Sequence, residues 1–588
     1  MIKNQTGPSL VSARPVRLFA AGIGAFSLIT MSILLVVVPP ATGYEPRVSS
    51  AFGPLLNYSM YGVVLGGILL IFSSEGNDWD IGKGFVLVTV GYLLWFFIPV
   101  FRGYLLYGRG RADILAHVGR TKTLVETGTL PDGAPYSAIY YLMGHLKLLD
   151  IGYVVLISAL AFVLTLTYMI GTYSLLRSEG GIPQRSTLAA AVPLPLVFTS
   201  FHRSIHPAIL SLFIVPVGLF LYYQTQKTGR IRYILPTLMA FLLIVQFHPV
   251  TSTLLFGIIV MADLVRSHTD GSFSRRFSAI PLVLFTVLLM WYVENGALVS
   301  LIVNLLYEPL GSPARSATAT GISQTDLSPF RIVTRIIDLY GAPLLYIGAG
   351  GICLLLASVR GISGTITPRQ LEYSLHYFAG AAIAGAFFVI NLIVTSPIRS
   401  AKYLLFASTV LIGLIGPKDD PLRFPDRVGY LGLMIVIVVL TTSLLSVGSV
   451  YQPGNQLTEQ EADGVEWHLE HFSTGYLTVS FNMGFKTQMY IQGAKEARGT
   501  SHVFQASNPD MQIPPHLGYH RNETVAGVLD QPSYVITKSH DYTFYKWYPR
   551  SRWDEKLTYT ESDRNKMATD RAVRKTYTNG GFTVWQTA

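Results

Sequence analysis

Apolar stretches of bilayer-spanning length, one after another, constrain this chain more than any other feature. They fall at about 18–38, 54–73, 84–101, 152–176, 187–201, 207–224, 232–247, 251–265, 278–293, 341–359, 375–395, 403–416 and 430–449, separated by short segments rich in Arg, Lys, Gly and Pro. In hydrocarbon a backbone must satisfy its own polar groups, which leaves a helix as the form for such a segment. The expectation is an all-α polytopic membrane domain over residues 1–449, with about thirteen transmembrane helices, and a small α/β domain over 450–588. Half of the 588 residues are hydrophobic and 13% are charged, which suits a chain that lives mostly in a bilayer.

Lys and Arg in short loops set orientation. With Lys3, Arg14 and Arg17 cytoplasmic, alternation also puts Arg177, Lys227, Arg230, Arg266 and Lys418 there. An odd number of spans then leaves the C-terminal domain extracellular, on a multi-pass protein of the cell membrane. Two regions break the rule: residues 102–150 carry Arg102, Arg109, Arg111, Arg120, Lys122 and Lys147 on the outer side, and the short loop 396–402 carries Arg399 and Lys402. Positive charge kept against the rule points to a bound anion. The net charge of +10 belongs to the membrane part, because acidic and basic residues nearly balance in the tail. That argues for membrane lipid or lipid phosphate as partner and against nucleic acid.

The first span ends in Val38-Pro39-Pro40-Ala41-Thr42 without a small-x-small cleavage pattern, so it reads as a retained anchor. Cys353 is the one cysteine, and no intrachain disulfide can staple the tail. In that tail Thr458 with Glu461 three residues on is a capping box that opens a helix to about Phe472, followed by strand-like runs at Tyr476–Ser480, Ser533–Thr537 and Phe582–Trp585. Asn522-Glu523-Thr524 is an N-glycosylation triplet. The tail holds no phosphate-binding Gly-rich loop, no nucleophile elbow and no paired Cys/His motif.

Two loops are long enough to suggest function: 102–150 and 294–340. The second, with Gly311, Pro313 and an Ala/Thr/Ser/Gly-rich stretch to Ser323, is either a linker or a lid. The first holds two helical patterns, one through Ala112–Val125 and one over Ser137–Leu149, hinged at Gly128, Pro131, Asp132 and Gly133. At helical spacing Asp113 and His117 share a face, with Arg109, Arg111, Arg120 and Lys122 around them. A carboxylate among cations suits activation of an acceptor hydroxyl while a departing phosphate is neutralised. It is equally the pattern of a surface ion pair.

The segment Asp113-x3-His117, Thr127-Gly128, a Pro-containing turn to Tyr136 and then an amphipathic helix resembles the first outer loop of archaeal membrane glycosyltransferases of the C-type (GT-C) superfold. The likeness extends to the multispan body and to a tail that opens on a Glu-rich helix near Trp467 and closes on Asn579-Gly580-Gly581-Phe582. It implies a GT-C-like fold, Asp113 as the catalytic carboxylate, a polyprenyl-phosphate-linked (dolichol-type) sugar donor, and a lipid-linked glycan or surface glycoprotein as acceptor. The chain departs from the pattern in having Asp113 as a lone acidic residue and Tyr136-Ser137 in place of Tyr-Pro. The Trp-Trp-Asp signature of oligosaccharyltransferase catalytic subunits is absent, so the resemblance implies addition of a single sugar.

Around that centre, Arg203, His206 and His248 sit at the outer ends of spans, and together with Arg109, Arg111, His117, Arg120, Lys122, Arg399 and Lys402 they are the candidate substrate or lipid-phosphate ligands. A divalent metal ion is a candidate cofactor, with Asp113, His117 and Glu126 its candidate ligands and Asp132 a further carboxylate. Trp467, Trp547 and Trp585 are either sugar-stacking platforms or core of the tail. Two other functions fit the same sequence: a transporter or flippase of lipid-linked saccharides, and a non-catalytic surface-assembly protein.

Overall fold

A computed structural model describes residues 13–46, 50–74, 78–107, 111–181, 183–191, 205–269, 279–296, 329–364, 366–391, 398–414, 456–473, 475–480, 483–499, 515–521, 523–529, 531–541 and 559–587. The chain opens with three long helices, α1 (Ala13–Val37), α2 (Gly53–Phe72) and α3 (Asp78–Phe101). Two shorter ones follow, α4 (Arg111–Thr127) and α5 (Ser137–Lys147). The bundle continues with α6 (Tyr153–Ser178), α7 (Pro183–Ala191), α8 (Pro207–Thr228), α9 (Ile231–Phe247), α10 (Pro249–Thr269), α11 (Ala279–Glu294), α12 (Pro329–Ile362), α13 (Pro368–Asn391) and α14 (Ile398–Leu414).

Among the described residues six helices are long and apolar enough, by length and composition, to cross a membrane: those within α1, α2 with the turn before it, α3, α6, α8 and the second half of α12. Four shorter apolar helices lie at Ile231–Phe247, Pro249–Leu264, Ala279–Glu294 and Lys402–Leu414. These fall where hydropathy places spans, but they do not amount to thirteen full-length spans. The expected span 430–449 and most of 187–201 lie outside the described residues, as does most of the loop 294–340.

Small residues bring the first helices close. A Cβ at Gly66 would collide with the backbone of Gly24, and one at Gly67 with the carbonyl of Gly84, the close approach that glycine permits between helices in lipid. At one end of this group Arg17 of α1 pairs with Asp80 of α3 at 3.1 Å. One apolar core runs through α6, α8, α9, α10, α13 and α14, and it takes in Ile114, Leu115 and Val118 of α4 and Ile139 and Met143 of α5. The two helices of 102–150 are thus seated on the bundle. Ser137 Oγ donates to Gln246 Oε1 at 2.6 Å, pinning the start of α5 to the end of α9.

The tail begins with β2 (Gln456–Leu457), which pairs antiparallel with β1 (Leu106–Tyr107), the strand just before α4. Thr458 then caps α15 (Glu459–His471), its hydroxyl accepting the Glu461 N–H at 3.3 Å, the N-cap half of the expected capping box, while the Glu461 carboxylate lies 3.3 Å from Lys538. A four-stranded sheet follows in the order β3 (Leu477–Ser480), β4 (Ser533–Lys538), β6 (Phe582–Thr587), β5 (Val573–Thr578); β3 is parallel to β4, and the rest are antiparallel. The hairpin between β5 and β6 turns at Asn579-Gly580, where Gly580 has φ of +91°, a region glycine enters without a steric penalty. Two short helices, α16 (Phe485–Gln492) and α17 (Ala494–Gly499), lie between β3 and β4 in sequence and pack on α4.

Candidate active site

At 3.6 residues per turn each residue advances about 100° around a helix. Asp113, His117 and Arg120, four and three residues apart, therefore fall on one face of α4, and Ala116 lies between them. That face lines a cavity of about 320 Å³, at the small end of the roughly 300–1,000 Å³ usual for small-ligand sites. Tyr136 closes it from the start of α5. His206 and Pro207 enter at the N-terminus of α8, His248 enters at the break between α9 and α10, and Lys486 comes from the first turn of α16.

Polar contacts orient these groups. Lys486 Nζ lies 2.6 Å from Asp113 Oδ1, with the two side chains 46% and 62% exposed. Arg120 donates to the Tyr140 hydroxyl at 3.2 Å. That hydroxyl lies 3.0 Å from His117 Nδ1, and its proton pointed there corresponds to a neutral His117 that carries its own on Nε2. Burial, reinforced by Arg120 and Lys486 and opposed by Asp113, pushes the His117 pKa down to about 4, so the ring is neutral near pH 7. Burial likewise pushes the Tyr140 hydroxyl up to about 12. His248 Nδ1 accepts the backbone N–H of Thr251 at 3.3 Å, which again leaves Nε2–H as the donor. The ring of Tyr136 bridges the two imidazoles, edge-on to His117 at 5.8 Å and stacked on His248 at 6.0 Å. One carboxylate, two permanent cations and imidazole N–H donors thus share one small cavity. This composition suits an anion placed beside a group that can take a proton.

Several expected site residues lie elsewhere. Lys122 is nine residues beyond Asp113, so it projects about 180° away; its Nζ donates to the Ile491 carbonyl at 3.2 Å and sits over the Tyr490 ring. It is a docking residue for the tail, not a cavity ligand. Glu126 is exposed near Gly493, away from Asp113 and His117, and among the described residues no group of three or more His, Cys, Asp or Glu is placed to hold a metal ion. The metal set Asp113, His117 and Glu126 is therefore not brought together. Lys402 is buried within α14 and does not line the cavity. Arg109 and Arg203 lie outside the described residues, as do the side chains of Arg111 and Arg399. Trp467 has His471 stacked at 4.6 Å and Tyr577 at 4.4 Å, and Trp585 is core, its Nε1 donating to Thr537; Trp547 and Asn522 lie outside the described residues.

No family model matches the chain, and no curated protein matches it. Among solved structures the chain is similar to an oligosaccharyltransferase of Archaeoglobus fulgidus, at 14% identity and a TM-score of 0.44, with 80% of this chain and 72% of that one covered. It is also similar to the arabinofuranosyltransferase AftD from Mycobacteria, at 14% identity and a TM-score of 0.43, with 86% of this chain but 40% of that one covered. At this identity and these TM-scores neither similarity assigns an activity.

The residue that sequence reasoning missed is Lys486. It lies 373 positions from Asp113 in a segment with no motif, and only the docking of α16 on α4 brings it to the cavity. Gly119 makes that docking possible, because a Cβ there would collide with the Met489 carbonyl. Thr123 Oγ1 adds to it by accepting the N–H groups of Ala494 and Lys495 at 2.8 and 3.2 Å, which caps α17 from outside.

Proposed function

We propose that this chain is a membrane glycosyltransferase that moves a sugar from a polyprenyl-phosphate carrier to a lipid-linked glycan or surface glycoprotein at the outer face of the membrane. The observation that carries the reading is the convergence of Asp113 with Arg120, Lys486, His117 and His248 on one cavity at the edge of an apolar bundle. Asp113 takes the proton of the acceptor hydroxyl as its oxygen bonds to the anomeric carbon. The bond from that carbon to the phosphate oxygen breaks, and the electron pair leaves with the phosphate. The cations neutralise the charge that develops there, and a neutral His117 lends an N–H without adding to the positive field. A lipid-borne donor explains why such a cavity belongs beside membrane-spanning helices.

The test is glycan mass on surface glycoproteins and lipid carriers from cells lacking the protein and from cells carrying Asp113→Asn. Loss of one sugar in both strains is expected. Loss in the deletion strain alone would remove Asp113 from the chemistry and favour transport or assembly.

A further inference from the structure

Lys486 is tied to Asp113 by geometry of two kinds, one firm and one loose. Its helix is firmly held: Gly119 receives the Met489 carbonyl, Lys122 binds the Ile491 carbonyl, and Thr123 caps the next helix. All three anchors are on α4, the helix that bears Asp113, so the base of the lysine and the carboxylate move as one body. The side-chain contact itself is loose. With both groups about half exposed, an ion pair of this kind is only weakly held, and four rotatable bonds let the ammonium reach other partners.

Resting on the glycosyl-donor reading above, we propose that Lys486 is a specificity-determining residue that exchanges Asp113 for the phosphate of the donor. Arg120 lines the same cavity, so a phosphate placed there meets two cations, whereas Asp113 offers one negative charge to one of them. The exchange also serves the chemistry. An ammonium seated on Asp113 Oδ1 stands where the acceptor hydroxyl would approach that oxygen, and movement of Lys486 to the phosphate opens the approach. The same movement places the cation where the leaving group collects its charge. Proton acceptance is thereby coupled to the presence of a phosphate-bearing donor, and a neutral glycolipid would leave the pair in place.

The experiment is a double-mutant cycle read as affinity for polyprenyl phosphate by the full-length protein in nanodiscs. Lys486→Gln should weaken binding about tenfold, equivalent to about 1.4 kcal/mol, while Lys486→Arg, which keeps the charge, should retain most of it. Asp113→Asn should tighten binding about threefold or more, because it removes the competitor for the ammonium. In the Lys486→Gln background that tightening should largely disappear, since the competition is gone. Equal tightening in both backgrounds would mean that Asp113 acts only through the general field, and would overturn the exchange. Wild-type protein that does not bind polyprenyl phosphate at all would overturn the glycosyl-donor reading itself.

Discussion

Two clusters of opposite charges each draw a lysine from the tail, and they do different work. In the first, Lys486 meets Asp113 where water reaches both. In the second, Lys538 lies 3.3 Å from Glu461 and 3.5 Å from Asp541, with side-chain exposures of 1%, 5% and 0%; Tyr559 donates to Asp541 at 2.7 Å, and Tyr44 meets the neighbouring His540 edge-on. Desolvation makes each sealed charge depend on the others, so this cluster fastens β4, α15 and the segment after α1 into one arrangement. The open pair is nearly free to exchange. The same residue types thus make a fastening in one place and an open, exchangeable pair in the other, and access to water decides which.

The comparison can be broken in several places. The largest effect is expected from Lys538→Met, which leaves two carboxylates sealed without their cation and should cost about 3–5 kcal/mol, read as a fall in the thermal unfolding midpoint of the purified protein. Gly119→Val pushes α16 off α4, and overpacking at such a contact costs about 1–3 kcal/mol; limited proteolysis should show the tail loosened, and polyprenyl-phosphate binding should fall because Lys486 is displaced. A wild-type protease pattern would remove Gly119 from the docking.

Acid should act next. Burial pushes His117 and His468 down to about 4, whereas the unfolded chain protonates them near the ordinary value of about 6.5. Between these values the unfolded state holds more protons, so stability is full above about pH 6.5 and falls by about 1–3 kcal/mol for each ring as pH drops towards 4. His468→Gln should flatten part of that slope in a series of unfolding midpoints. Thr123→Ala, which uncaps α17, should cost about 1 kcal/mol.

Helix arithmetic on the sequence explains which of the expected residues share the cavity and which do not. Asp113 and His117 are one turn apart, and Arg120, seven residues from Asp113, returns to within about 20° of it. The same arithmetic turns Lys122 to the far side, so charge alone is a poor guide to membership of a site. His206 and His248 were visible as span ends, yet nothing in the sequence says that two helix termini meet at one cavity. Lys486 had no signal because its role depends on a contact across most of the chain. In the tail, β3, β4 and β6 announced themselves through apolar runs. Strand β5 did not: it lies at the sheet edge, and its Arg574, Lys575 and Thr576 show the polar dress of an edge strand.

The most direct test of the account is sugar transfer by purified protein from a polyprenyl-phosphate-linked donor, wild type against Asp113→Asn, with unfolding midpoints measured alongside. The exposed pair contributes about 1 kcal/mol or less, so the midpoint should barely move, while the transfer rate should fall by about 10²–10⁴-fold. An unchanged rate in a folded Asp113→Asn protein would contradict the role given to this carboxylate and, with it, the function built on the cavity.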